Sequence, residues 1–182
     1  MINHELKFIF VHIPKTGGNS VKKILGIQGH EHKKFSRCSK GYPDYFSFAF
    51  TRNPWDRFVS AFFYFEQGGM FENDRKSYNK HINGLSFTEF VLKYQSDSIG
   101  IAHFSEQHLY LDGNLSFIGK VENFQEDFNT VCDKIGIAKR QLPKKNKSKH
   151  AHYTEYYNNE TREIIAEKYA KDIEYFGYKF GD

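Results

Sequence analysis

Residues 8–20 read FIFVHIPKTGGNS: an apolar strand, a Lys-Thr-Gly-Gly turn and the start of a helix. Phe8, Ile9, Phe10, Val11 and Ile13 are β-branched and aromatic types that suit a buried strand. Pro14 has no N–H for a sheet ladder, so the strand should end there. Gly17 and Gly18 permit a tight turn and a close backbone approach. Their N–H groups, with those of Asn19 and Ser20, then open a helix unpaired, and such a helix start attracts an anion. Lys15 adds a mobile positive charge, while Thr16 and Ser20 add hydroxyl donors. Strand, turn and helix start together form an anion-binding cradle.

Residues 46–65, FSFAFTRNPWDRFVSAFFYF, repeat the layout. Phe46, Phe48 and Phe50 alternate as a second buried strand with Arg52 at its end. Asn53 is placed to cap a helix and Pro54 to open its first turn. Arg57 and Ser60 follow on roughly one face of that helix. An arginine at a strand end and a serine on the next helix can grip a phosphate from two sides. Arg57 has a second reading, a salt bridge to Asp56 or Glu66. Trp55 and the helix phenylalanines could stack on an adenine, but core packing is the plainer reading for most of them.

The Walker P-loop is a poor match, because it places its lysine after the glycines and here Lys15 precedes them. The order Pro-Lys-Thr-Gly-Gly-x-Ser instead resembles the 5′-phosphosulfate loop of sulfotransferases, whose donor is 3′-phosphoadenosine 5′-phosphosulfate (PAPS). Arg-Asn-Pro-Trp-Asp-Arg-x-Val-Ser-Ala at 52–61 resembles the 3′-phosphate motif of membrane-type and bacterial carbohydrate sulfotransferases, and the chain is similar to the heparan sulfate 2-O-sulfotransferase group. The resemblance continues through 117–137 and 142–180. It is weakest at 26–45 and 66–85, where acceptor-facing loops are expected. It implies a P-loop-like three-layer α/β/α sandwich with a central, mostly parallel sheet and the ligand at the carboxyl ends of the strands. It implies PAPS as donor and adenosine 3′,5′-bisphosphate (PAP) as product. Lys15, Thr16, Gly17, Gly18, Asn19 and Ser20 would hold the 5′ end, and Arg52 and Ser60 the 3′-phosphate. Similar Asn-Lys-Ser strings recur in the family, so the basic run KKNKSKHAH (144–152) is read as closing over the donor through Ser148 and Lys149; a solvated charge run is the alternative.

Sulfuryl transfer needs an in-line, deprotonated acceptor and stabilisation of the charge growing on the leaving phosphate oxygen. Lys15 suits the second task, helped by the helix start and Thr16. With these fixed charges no metal is expected. A histidine suits the first task. The resemblance favours a base between the two motifs, sometimes in a His-x-His pair, which points to His32, then His30, with Glu31 as a fallback. The pair also has a metal-like spacing, but no third and fourth ligands are evident. His12 reads as a packed residue beside the site, and His103 and His108 are left open.

Composition agrees. The chain of 182 residues is expected to form a single sulfotransferase domain over 1–182. Its formal net charge of +4 suits an anionic cosubstrate and is too small to argue for nucleic acid. Cys38 and Cys132 make no disulfide framework, and no signal peptide or membrane-spanning run is seen, so a cytoplasmic protein without membrane insertion is expected. The expected activity is transfer from PAPS to a hydroxyl of a carbohydrate or similar acceptor. The alternatives are a nucleotide-dependent phosphotransferase and a catalytically silent nucleotide-binding protein. Beyond the motifs, the pattern predicts helices at 18–26, 55–67, 86–95, 103–111, 124–136 and 155–171, a strand at 115–121, an irregular 27–45, and a polar loop at 70–84.

Overall fold

Two phenylalanine-rich strands set the sheet. The structure, a computed structural model, describes residues 1–29, 31–96, 99–143 and 151–182. In chain order these form β1 (Ile2–Asn3), β2 (Phe8–Val11), α1 (Gly18–Leu25), α2 (Phe35–Ser39), β3 (Phe46–Thr51), α3 (Pro54–Glu66), α4 (Glu72–His81), α5 (Phe87–Ser96), β4 (Phe117–Lys120), α6 (Phe124–Ile135), α7 (Asn159–Lys168) and α8 (Ala170–Phe176). The chain divides into two compact units, residues 1–52 with 106–145 and residues 53–105 with 146–182.

The first unit holds the sheet, in the order β1-β2-β3-β4. β2 pairs parallel with β3 (Phe10 opposite Phe48) and β3 parallel with β4 (Phe50 opposite Gly119), while β1 runs antiparallel at the edge. This is the expected mostly parallel α/β arrangement. All four residues of β2 are fully buried, as a sheet covered on both faces requires. On one face Phe8, Phe10, Phe48 and Phe50 join Val21 and Leu25 of α1 and Phe128, Val131, Cys132 and Ile135 of α6 in a continuous core. The α6 residues recur at helical spacing, which is why this helix was legible in the sequence. Phe10 stacks on Phe48 at 5.0 Å, and Phe50 meets Phe124 edge-on at 5.0 Å. Cys38 and Cys132 are both free and buried.

The second unit is helical around an aromatic core. Phe58, Phe62 and Phe65 of α3 pack with Phe87 and Phe90 of α5, Phe104, and Ile164 and Ile165 of α7. The side chain of Asn53 accepts the Trp55 N–H at 3.1 Å, with Pro54 in the first turn, as its position suggested. Gly68 and Gly69, both at positive φ, close the other end through bonds to Phe65 and Tyr64. Trp55 is core: its Nε1–H donates to the Arg162 carbonyl and its ring meets Phe180 edge-on.

Several element expectations are corrected. Residues 72–81, expected as a polar loop, form α4, which buries no residue. It stands instead on acidic residues in its first turn, Lys80 and His81 in its last, and a Lys76–Glu72 pair one turn apart. Residues 103–111 form two short 3₁₀ turns, Ala102–Phe104 and His108–Tyr110, rather than a helix. The 27–45 stretch contains α2. The long helix at 155–171 is broken, with α7 ending and α8 beginning around Tyr169. The buried Tyr169 hydroxyl is drawn onto the Phe104 carbonyl at that point.

Candidate functional site

In the first unit β2 ends at Val11, and the turn through Lys15 leads to Gly17, the left-handed cap (φ 76°) of α1. No side chain caps this helix and its first turn carries no acidic residue. The cradle therefore retains the positive character of a helix start. Lys15 itself lies at φ 68°, a conformation that costs a non-glycine residue roughly 1–2 kcal/mol. The neighbouring chain sustains it: Arg52, at the end of β3, donates from Nη1 to the Lys15 carbonyl at 3.3 Å. The lysine of one motif and the arginine of the other thus meet.

The two glycines are needed for reasons the sequence did not disclose. A Cβ on Gly18 would sit 2.1 Å from the His12 ring, and one on Gly17 would sit 2.5 Å from the Phe124 ring. The close approach seen here is to the protein's own side chains. The two hydroxyls of the loop are also engaged locally. Thr16, fully buried, donates to the Ile13 carbonyl at 3.0 Å, and Ser20 donates to the Pro143 carbonyl at 3.1 Å. Asn19 is exposed.

His32 reaches the same place. Its Nδ1 lies 2.8 Å from the His12 carbonyl, and the two rings are 4.4 Å apart. A carbonyl only accepts, so Nδ1 donates here, and in the neutral form of the ring this tautomer places the lone pair on Nε2. His12 is indeed packed, stacked on Phe10 behind Gly18. Lys22, which sequence reading passed over, is buried on α1 and donates to the Gly29 carbonyl at 2.9 Å, holding the loop that carries His32. Burial pushes its ammonium pKa down. No pattern marks such a lysine, since its partner is a backbone carbonyl. Glu31 is exposed, and the hydrogen bond and charge of Lys33 hold its carboxyl below its ordinary value, which weakens it as a base.

The first unit thus gathers Lys15, Thr16, Gly17, Gly18, Asn19, Ser20, His32 and Arg52. Ser60 belongs to the second unit, buried on α3. His30, Ser148 and Lys149 lie outside the described residues. For Arg57, whose spacing allowed a salt bridge to Asp56 or Glu66, the structure gives two backbone partners. The arginine is buried in the second unit, donating from Nη1 to the His103 carbonyl at 3.1 Å and from Nη2 to the Ser105 carbonyl.

Compared with known families, residues 1–179 match the sulfotransferase family. The chain belongs to the sulfotransferase family. It is also similar to an uncharacterized protein of Archaeoglobus fulgidus, 32% identical over 99 residues, which is 54% of this chain and 73% of the relative. Membership makes the chain a transferase that moves a sulfuryl group, with an acceptor substrate. The match runs through both sequence motifs, so Lys15, Arg52 and Ser60 all lie within the sulfotransferase region. Among the described residues no three His, Cys, Asp or Glu side chains gather as metal ligands, and no helix is long and apolar enough to cross a membrane.

Proposed function

We propose that this sulfotransferase takes its sulfuryl group from PAPS and delivers it to a hydroxyl of a carbohydrate or similar acceptor, within a single catalytic domain. The observation that carries this reading is the meeting of Lys15 and Arg52 at an uncapped helix start, which suits a donor bearing anionic groups at both its 5′ and 3′ ends. Lys15 and the first amides of α1 hold the phosphosulfate. Arg52 binds the 3′-phosphate, and the sequence motif assigns Ser60 to the same group. Ser148 and Lys149, in the basic run at 144–152, are assigned to the donor by the sequence resemblance.

In the transfer, the acceptor oxygen bonds to sulfur while the bond from sulfur to the bridging phosphate oxygen breaks. The acceptor proton goes to His32 Nε2, and PAP leaves with the electron pair, its new charge stabilised by Lys15. His30 is the second choice of base. The cytoplasm is the proposed location.

The test is transfer from labelled PAPS to a panel of glycan acceptors without added metal. His32→Ala is expected to lower kcat by about 100-fold or more while leaving PAP binding within about twofold of wild type. Unchanged kcat in His32→Ala would remove it as the base. A protein that binds PAP yet transfers to no acceptor would favour the silent nucleotide-binding alternative. Magnesium-dependent ATP turnover would favour a phosphotransferase.

A further inference from the structure

We propose that Gln107 is a positioning residue for Arg52 and that it sets the protein's selectivity for a 3′-phosphorylated nucleotide; this rests on the donor reading above. The ladder of β3 reaches Thr51, which is registered with Lys120 of β4. One residue further, Arg52 lies beyond the regular pairing. Its backbone is held there by a side chain: Gln107 Oε1 accepts the Arg52 N–H at 2.9 Å, and Gln107 Nε2 donates to the Arg52 carbonyl at 2.8 Å. The planar carboxamide thus imitates a neighbouring strand. Only one orientation of the amide fits, because an N–H requires an acceptor and a carbonyl a donor.

Gln107 is completely buried, and its own backbone is fixed. It opens the 3₁₀ turn His108–Tyr110, accepting the Tyr110 N–H at 3.0 Å, and the turn is anchored by buried Tyr110. A two-point clamp on the Arg52 backbone fixes the direction of its Cα–Cβ bond. From that origin the guanidinium reaches the Lys15 carbonyl at 3.3 Å. Loss of the clamp frees the root of the side chain, and a displacement of about 1 Å at a group that positions substrate costs on the order of 100-fold. No other residue type supplies this pattern at the same length: glutamate keeps the acceptor and loses the donor, and leucine loses both.

The experiment measures the ratio of PAP to 5′-AMP affinity in wild type, Gln107→Leu, Gln107→Glu, Arg52→Ala and the double variant Arg52→Ala/Gln107→Leu, with thermal melting of each. The expected result is a loss of about tenfold or more in the PAP preference for Gln107→Leu, with 5′-AMP affinity nearly unchanged. In the Arg52→Ala background Gln107→Leu is expected to change the ratio no further, because it acts through Arg52. If Gln107→Leu does not fold, Gln107→Glu carries the same expectation. An unchanged ratio in a folded Gln107 variant overturns the proposal, as does an equal loss of both nucleotides or an additive double variant. A wild type that does not prefer PAP overturns the donor reading itself, and this proposal with it.

Discussion

Arg52 and Arg57 belong to one ten-residue motif, and their surroundings give them different work. Arg52, in the first unit, is partly buried at a strand end, with its backbone held by Gln107 and its guanidinium on the carbonyl of the cradle lysine. Arg57, in the second unit, is 1% exposed and lies over the Tyr169 ring at 5.6 Å. It holds the carbonyls of His103 and Ser105, while Tyr94 and Tyr169 donate to the Phe104 carbonyl between them. Three successive carbonyls are thus satisfied inside an aromatic core, where an unpaired one would cost about 1–3 kcal/mol. The lesson is that a charged residue in such a motif is read through its partners: carbonyls of an interior segment make Arg57 a brace, while the Lys15 carbonyl brings Arg52 to the loop before α1.

The largest expected effect breaks the brace. Arg57→Leu should destabilise the protein by about 3 kcal/mol or more, since it offers no replacement donor for the part-buried His103 and Ser105 carbonyls, whereas Arg52→Leu should cost no more than about 1–2 kcal/mol, the bond to the Lys15 carbonyl, and weaken PAP. Parallel urea titrations check this, and equal destabilisation by both would erase the distinction. Next, Lys15→Ala should raise the transfer barrier by about 2–4 kcal/mol if Lys15 stabilises the leaving group, with a smaller loss in donor affinity. Single-turnover kinetics separate the two, and a loss confined to binding would restrict Lys15 to holding the donor.

The smallest effect concerns the second unit alone. Burial opposes ionisation of Asp74, but hydrogen bonds from Tyr64 and the Phe71 and Met70 amides outweigh it and hold the carboxyl below its ordinary value of 3.8. A depressed carboxylate contributes stability that is present above its unfolded value and lost as pH falls through the folded one. Asp74→Asn should therefore cost about 1–2 kcal/mol at neutral pH, and the gap to wild type should close in acid. Urea midpoints across pH check this; a gap that stays constant as pH falls well below the ordinary value of 3.8 would contradict it.

The cradle and the sheet were legible because their information is local. Strand, turn residues and helix start follow one another within 8–20, and the alternating phenylalanines of 46–50 mark a face directly. What escaped depends on distant or non-periodic partners. Arg57 bonds to a carbonyl 46 residues away, and Gln107 to a backbone 55 residues away, so spacing along the chain could not find either. Helix α4 carries no apolar stripe to read, and its charges look like those of a loop. The break at Tyr169, whose hydroxyl bonds to the Phe104 carbonyl, has no proline or glycine to announce it.

The most direct test of the donor site is calorimetric titration of the full chain with PAP, 5′-AMP and ATP in the absence of magnesium. PAP should bind at least about tenfold more tightly than either of the others, a difference of about 1.4 kcal/mol, and Arg52→Ala should bring PAP down to the level of 5′-AMP. Equal binding of PAP and 5′-AMP by wild type, or binding of ATP alone and only with magnesium, would contradict a PAPS site built on Lys15 and Arg52.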